Sequence, residues 1–208
     1  MDITSIAITL AALLFSVVIH ELCHGLVADR LGDHTARDAG RLTLNPIPHL
    51  DIFGSILLPL FLFMVNSPIL FGAAKPVPVN IFNLRNPKRD MAFVSLAGPI
   101  ANVAIALVFA LPIRLGLVGG TDPGFGILAQ IVIMNLVLAI FNLIPIPPLD
   151  GSKILASFLS DEAMFKILSL ERWGFLLIIL FLYLGLIDRV LVPVLSILGK
   201  LFLGFPVL

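Results

Sequence analysis

The sequence has few charged residues and almost no cysteine. Only 12% of its 208 residues are charged, and 13 Lys and Arg balance 13 Asp and Glu, so the net charge is zero. A neutral chain offers no electrostatic reason to bind nucleic acid, and none is expected as a partner. Cys23 is the single cysteine, which excludes an internal disulfide. The sequence also contains no internal repeat.

Hydrophobic residues, in contrast, dominate the composition. They make up 59% of the chain, and the mean hydropathy is +1.11, whereas soluble domains are roughly 45–50% apolar and about 25% charged. The composition predicts an all-α polytopic membrane protein, with residues 1–208 forming a single domain in the lipid bilayer. We expect about four transmembrane helices, at approximately Thr4–Leu31, Met91–Leu117, Phe125–Ile144 and Trp173–Ile187. Residues 190–208 either cross poorly or lie in the interface.

The first apolar stretch ends in a group of ionisable residues, His20-Glu21-Leu22-Cys23-His24. On a helix, a spacing of four residues puts both imidazoles on one face, where they can hold a single zinc ion. Glu21 follows the first histidine and can accept a proton from an attacking water. Because ionisable groups inside an apolar helix are costly, they mark a functional site by default.

A catalytic zinc site usually has three protein ligands, so a third ligand is needed. A ligand six residues after His24 is excluded, because Arg30 stands there. Asp150 is the strongest candidate, since it is an acidic residue that follows an apolar helix broken by a cluster of prolines. Four other candidates lie in polar stretches, where solvated roles are favoured: His34, His49, Glu162 and Glu171.

Three segments together resemble the signatures of the site-2 protease family of intramembrane zinc metalloproteases. They are His20–His24, Ala97-Gly98-Pro99-Ile100-Ala101-Asn102 and the stretch from Asn142 to Gly151. The resemblance runs from the first helix to Gly151, and we expect a minimal member without PDZ or CBS domains. It implies that His20, His24 and Asp150 bind one zinc ion and that Glu21 is the catalytic base. It also implies a transmembrane protein as substrate.

Two asparagines are further candidates for the site. Asn142 resembles the family asparagine that holds the substrate or the oxyanion, although it could instead satisfy carbonyls freed by the prolines. Asn102 could stand behind the zinc ligands or form an interhelical hydrogen bond. Gly98 and Pro99 are expected to serve close packing of their helix.

The segment Ile52–Phe71 decides the predicted topology. If it spans the bilayer, His20 and Asp150 fall on opposite membrane faces, whereas a re-entrant segment lets the site assemble. The re-entrant topology places ten of the 13 basic residues on one side of the membrane, whereas the spanning topology divides them into six on one side and seven on the other. The positive-inside rule therefore favours the re-entrant topology. We therefore predict a re-entrant segment, an outside N-terminus and an active site towards the cytosol, in the plasma membrane.

Two short membrane-associated β-strands are predicted beside this segment, at Arg41–Leu44 and Lys75–Val79. They could pair with each other and hold an unwound substrate by strand addition. Two other functions stay open, namely a membrane metal-binding or transport protein and an inactive protease homologue. Retention of Glu21 favours the peptidase, because Glu21 is needed only for catalysis.

Overall fold

A computed structural model of the chain describes residues 3–51 and 75–207. Within these ranges the chain is helical, and no β-strand is present. The α-helices are α1 (Ile3–Arg30), α2 (Thr35–Asp38), α3 (Pro87–Arg114), α4 (Phe125–Leu143), α5 (Asp150–Ser157), α6 (Asp161–Ser169), α7 (Gly174–Tyr183) and α8 (Leu186–Leu203). Short 3-10 helices lie at Ile47–His49, Ile81–Asn83 and Leu170–Trp173.

Helices α1, α3 and α4 are long and apolar enough to cross a membrane. They contain 28, 28 and 19 residues, and at 1.5 Å per residue the shortest spans roughly 28 Å, close to the thickness of a bilayer core. These helices confirm the predicted all-α integral membrane protein.

The stretch predicted as a fourth transmembrane helix, Trp173–Ile187, is divided between two helices. Helix α7 has ten residues, too few to cross alone, and Gly185 (φ +64°) separates it from α8. The stretch Asp161–Tyr183 and helix α8 meet at a bend of 74°, so this pair forms a fourth span only if the two halves are taken together.

The three long helices pack against one another in antiparallel order. Alanines lie buried between α3 and α4, at Ala106, Ala110 and Ala129, and their small side chains let the two backbones approach. The Arg85 N–H donates to the Leu31 carbonyl at 3.1 Å. The end of α1 therefore lies beside the start of α3, at one end of the bundle.

The predicted strands at Arg41–Leu44 and Lys75–Val79 are wrong, because both ranges are irregular. Pro76 and Pro78 have no N–H to donate to a ladder, which explains the missing pairing. The two segments still lie side by side. The Arg41 guanidinium donates to the carbonyls of Lys75 (2.7 Å) and Pro76 (3.3 Å) instead. The predicted re-entrant segment Ile52–Phe71 falls outside the described residues.

Asp33 anchors the far end of the irregular segment formed by residues 75–80. Its fully buried carboxylate accepts hydrogen bonds from the Asn80 N–H (2.6 Å), the Asn83 amide (3.0 Å) and the N–H and hydroxyl of Thr35. Burial alone would raise the pKa of Asp33, but these hydrogen bonds outweigh burial and lower it. Residues 75–80 are thus tied at one end to Arg41 and at the other to Asp33.

Candidate metal centre

Two histidines of α1 and the first residue of α5 converge inside the protein. The Nε2 atoms of His20 and His24 lie 3.0 Å apart. An Asp150 carboxylate oxygen lies 3.2 Å from His20 Nε2 and 3.1 Å from His24 Nε2. All three side chains are buried. They form a group that could hold a metal ion.

The backbone after α4 brings Asp150 to this position. Gly151 packs directly on the end of α4, where any Cβ atom would collide with the Leu143 carbonyl. The missing side chain lets the chain fold back tightly after the prolines. As a result α5 begins beside α1, with Asp150 facing the two imidazoles.

The outer ring nitrogens of both histidines donate to oxygen atoms of α3. His20 Nδ1 is 2.5 Å from Asn102 Oδ1, and His24 Nδ1 is 2.7 Å from the Val94 carbonyl. Since both oxygens only accept, each Nδ1 carries the proton of a neutral imidazole. Each Nε2 atom then presents a lone pair towards the Asp150 carboxylate, and a cation is the natural partner of three converging electron-pair donors.

The donor set fits zinc in type and spacing. Histidine nitrogens and carboxylate oxygens are common zinc ligands, with bonds of about 2.0–2.2 Å, so a tetrahedral ion separates its ligand atoms by roughly 3.3–3.6 Å. The observed separations of 3.0, 3.2 and 3.1 Å are slightly shorter than this range. A carboxylate at position 150 adds an anionic ligand to the two neutral imidazoles, which is a combination that zinc sites use.

Gly98 closes the centre on the side of α3. A Cβ atom at this position would lie 2.5 Å from His20 Nε2 and 2.5 Å from His24 Nε2. Only a residue without a side chain lets the backbone of α3 approach the metal-facing nitrogens so closely. The predicted packing role of Gly98 is thus directed at the imidazoles themselves.

Glu21 lies beside the centre, along a cavity of about 540 Å³. One Glu21 carboxylate oxygen accepts a hydrogen bond from the Val77 N–H at 2.8 Å, so the irregular segment of residues 75–80 orients this side chain. The same cavity is lined by the three converging residues, by Asn142, and by Lys153 and Glu171, which are partly exposed. The arrangement provides a base, a candidate metal site and room for a ligand in one space.

Comparisons with known proteins agree with this geometry. The profile of peptidase family M50 matches residues 124–184, which include Asn142 and Asp150. The chain is 38% identical over 194 residues to "Putative zinc metalloprotease YwhC" of Bacillus subtilis, covering 88% of this chain and 84% of that protein. The chain belongs to peptidase family M50, the site-2 protease family. The resemblance carried by the three sequence segments is thereby confirmed.

Two other relatives are also named as zinc metalloproteases. "Putative zinc metalloprotease MJ0611" of Methanocaldococcus jannaschii is 31% identical over 176 residues, 84% of this chain and 81% of that protein. "Putative zinc metalloprotease Rip2" of Mycolicibacterium smegmatis is 29% identical over 187 residues, 88% and 69% of the two chains. No solved structure matches.

The other candidate ligands of this M50 chain lie away from the centre or have different partners. His34 pairs with Asp29, Glu162 with Lys166, and His49 is buried against the Thr43 carbonyl. Glu171 lines the cavity but lies 3.8 Å from Lys153. Within residues 3–51 and 75–207, the one histidine and carboxylate group suited to a metal is that of His20, His24 and Asp150.

The structure places the two predicted asparagines differently. Asn142 lines the cavity, and its amide donates to the Leu138 carbonyl, four residues earlier in α4, at 3.0 Å. Asn102 is fully buried and hydrogen-bonds to His20. Asn102 also bonds to another helix, through Asn135 on α4.

The sequence did not identify three residues that lie near the candidate metal centre. Val77 contributes only its backbone N–H, which no sequence pattern marks. Ser16 and Asn135 are buried polar residues within spanning helices. Their placement in apolar stretches was the available signal, because polar groups at membrane depth need partners.

Proposed function

We propose that this chain is a zinc-dependent endopeptidase that hydrolyses a peptide bond within or near a transmembrane segment of a membrane-protein substrate. The observation that carries the proposal is the convergence of His20, His24 and Asp150 beside Glu21, in one cavity among spanning helices. Residues 1–208 form a single metalloprotease domain in this proposal.

His20, His24 and Asp150 would hold one zinc ion. When bound, the zinc would polarise the scissile carbonyl and acidify the attacking water. The hydrogen bonds to Asn102 and to the Val94 carbonyl keep the two imidazoles in the orientation and tautomer that bind metal.

Glu21 acts as the general base and then as the general acid. It accepts a proton from the attacking water and passes it to the nitrogen of the departing amine. The Val77 N–H holds the Glu21 carboxylate against the cavity wall, which reduces the conformational freedom that catalysis would have to overcome.

The cavity receives the substrate in this proposal. A transmembrane helix hides its peptide bonds in its own hydrogen bonds, so the substrate must unwind locally before cleavage. The cavity has polar and ionisable groups in its wall, among them Asn142, Lys153 and Glu171, and these can hold water at this depth. Asn142 is the proposed contact for the substrate backbone.

The packing of the helices supports the re-entrant topology. The end of α1 lies beside the start of α3, so the intervening chain leaves and returns at one end of the bundle. Most Lys and Arg residues lie at that end in this topology, and basic residues favour the cytosolic side of a membrane. We therefore propose that the protein lies in the plasma membrane with its N-terminus outside and its active site towards the cytosol. A cysteine introduced at Asn66 should resist labelling from outside intact cells, and labelling there would contradict this topology.

The test of the proposed site is Asp150→Ala. Because this variant removes an anionic ligand and keeps both imidazoles, we expect the zinc dissociation constant to rise by at least ~100-fold, more than loss of a supporting partner costs. Cleavage of a model transmembrane substrate should be lost with the zinc. Both are measured on protein purified in detergent.

Asp161→Ala is the matched control, since Asp161 is an exposed carboxylate on α6 that pairs with Lys88. It should keep wild-type zinc affinity and cleavage. Full zinc occupancy and activity in Asp150→Ala would place the third ligand elsewhere.

A further inference from the structure

A chain of buried polar side chains continues behind His20, away from the cavity. Ser16 on α1, Asn102 on α3 and Asn135 on α4 are 2%, 0% and 0% exposed. His20 Nδ1 bonds to Asn102 Oδ1, Asn102 Nδ2 donates to Asn135 Oδ1 at 2.9 Å, and Asn135 Nδ2 donates to Ser16 Oγ at 3.0 Å. The chain thus links all three spanning helices to one imidazole.

Backbone carbonyls determine the direction of the hydrogen bonds in this chain. The Ser16 hydroxyl donates to the Ala12 carbonyl at 2.8 Å, and the Asn135 amide also donates to the Ile131 carbonyl at 2.9 Å. Since carbonyls only accept, the nitrogen of Asn135 must face Ser16 and its oxygen must face Asn102. The Asn102 nitrogen then faces Asn135 at 2.9 Å, with the Ser16 carbonyl as a more distant acceptor at 3.5 Å, and this turns the Asn102 oxygen towards His20.

This order decides which nitrogen of His20 carries the proton. An amide oxygen at Nδ1 requires the proton there and leaves Nε2 free to bind a metal. With the Asn102 amide turned over, its NH₂ group would face Nδ1 and favour the tautomer protonated at Nε2. In that tautomer Nε2 has no free lone pair with which to bind a metal.

We propose that Asn135, supported by Ser16, is a positioning residue that sets the metal-binding tautomer of His20 through the orientation of the Asn102 amide. The inference rests on the proposed function, because it assigns His20 as a zinc ligand. Asn135 touches neither zinc nor substrate, and its effect passes through Asn102. The alternative is that these residues only hold the helices together.

The test compares zinc affinity among variants, by competition with a chromophoric chelator in detergent. Asn135→Leu has a similar size but no polar group, so the Asn102 amide keeps only its long contact of 3.5 Å to the Ser16 carbonyl, and we expect the zinc dissociation constant to rise about 10-fold. Asn135→Asp has the same shape, and as a neutral carboxylic acid it can donate to the Ile131 carbonyl and accept from Asn102, so its affinity should stay within ~3-fold of the wild type. Gln130→Leu makes the same kind of change on α4, outside the chain of hydrogen bonds, and serves as control.

A double-mutant cycle separates positioning from packing. Asn102→Ala removes the link to His20, so adding Asn135→Leu should cost no further zinc affinity. A structural role predicts instead that Asn135→Leu lowers the unfolding temperature of the zinc-free protein and leaves zinc affinity unchanged. It also predicts that the Asp and Leu variants behave alike.

Cobalt(II) in place of zinc gives a second readout. The visible absorption spectrum reports ligand geometry, so it should shift in Asn135→Leu and match the wild type in Asn135→Asp and Gln130→Leu. Unchanged zinc affinity in Asn135→Leu, or additive losses in the double variant, would overturn the positioning role. A wild-type protein that binds no zinc would refute the proposed function itself, so the two failures are distinguishable.

Discussion

Replacing Gly98 by alanine is expected to abolish zinc binding. The added methyl group would lie 2.5 Å from the Nε2 atoms of both His20 and His24, far inside van der Waals contact. Either α3 moves away, which breaks the Nδ1 hydrogen bonds to Asn102 and to the Val94 carbonyl, or both imidazoles turn out of position. Since the loss of supporting contacts alone weakens metal binding by about 10–100-fold, the combined effect should exceed ~100-fold.

The measurement is zinc per chain in purified protein, with the unfolding temperature of the zinc-free form recorded beside it. Gly126→Ala is the matched control, because Gly126 lies in helix α4 and no atom lies within 4 Å of the position that an alanine methyl group would take there. At this position the change should be neutral or stabilising, by up to ~1 kcal/mol from helix propensity. Stoichiometric zinc in Gly98→Ala would show that the ion is bound away from these imidazoles.

Replacing Glu21 by glutamine is expected to stop catalysis and leave zinc in place. Glutamine has the same shape and keeps an oxygen that can accept from the Val77 N–H, but it cannot take a proton from water. A lost general base costs about 10²–10⁴-fold in rate. Cleavage of a model transmembrane substrate should fall by at least the lower figure, at unchanged zinc occupancy.

The same variant separates the peptidase from the alternative functions. A metal-transport protein or an inactive homologue has no need of a base at position 21, so neither predicts a specific loss of cleavage. Glu162→Gln, on the exposed face of α6, is the control for removing one carboxylate. Wild-type cleavage by Glu21→Gln would show that another group takes the proton.

The residues of the candidate metal centre could be identified from the sequence because their signals are local. The spacing of His20 and His24 places both on one face of any helix, and Asp150 is conspicuous after a proline-broken apolar helix. His20 and Asp150 are 130 positions apart, and only the resemblance to the site-2 proteases indicated that they belong to one site. In the structure the three side chains lie close together.

The predicted strands failed for a reason that was visible in part. The two prolines of Lys75–Val79 indicated extended backbone, but the same residues, Pro76 and Pro78, cannot donate to a ladder. The Arg41 guanidinium donates hydrogen bonds to the Lys75 and Pro76 carbonyls instead. A buried arginine that bonds to backbone carbonyls leaves no mark in a hydrophobic pattern.

Gly98 and Asn135 show what the sequence could not supply. A glycine in an apolar helix indicates close packing, but only the fold shows that it packs on the two imidazoles. Asn135 depends on partners 33 and 119 positions away, at Asn102 and Ser16. Its burial cost was predictable from its apolar surroundings, whereas its link to His20 was not.

Zinc K-edge X-ray absorption on the purified wild-type protein tests the central claim most directly. We predict a first shell of nitrogen and oxygen atoms at about 2.0–2.2 Å, with the outer-shell scattering of two imidazole rings. Cys23 is the one sulfur ligand that the chain could offer as a thiolate, and it belongs to no part of the proposed centre. Sulfur scattering at about 2.3 Å, or a shell without two imidazoles, would contradict the assignment of His20, His24 and Asp150.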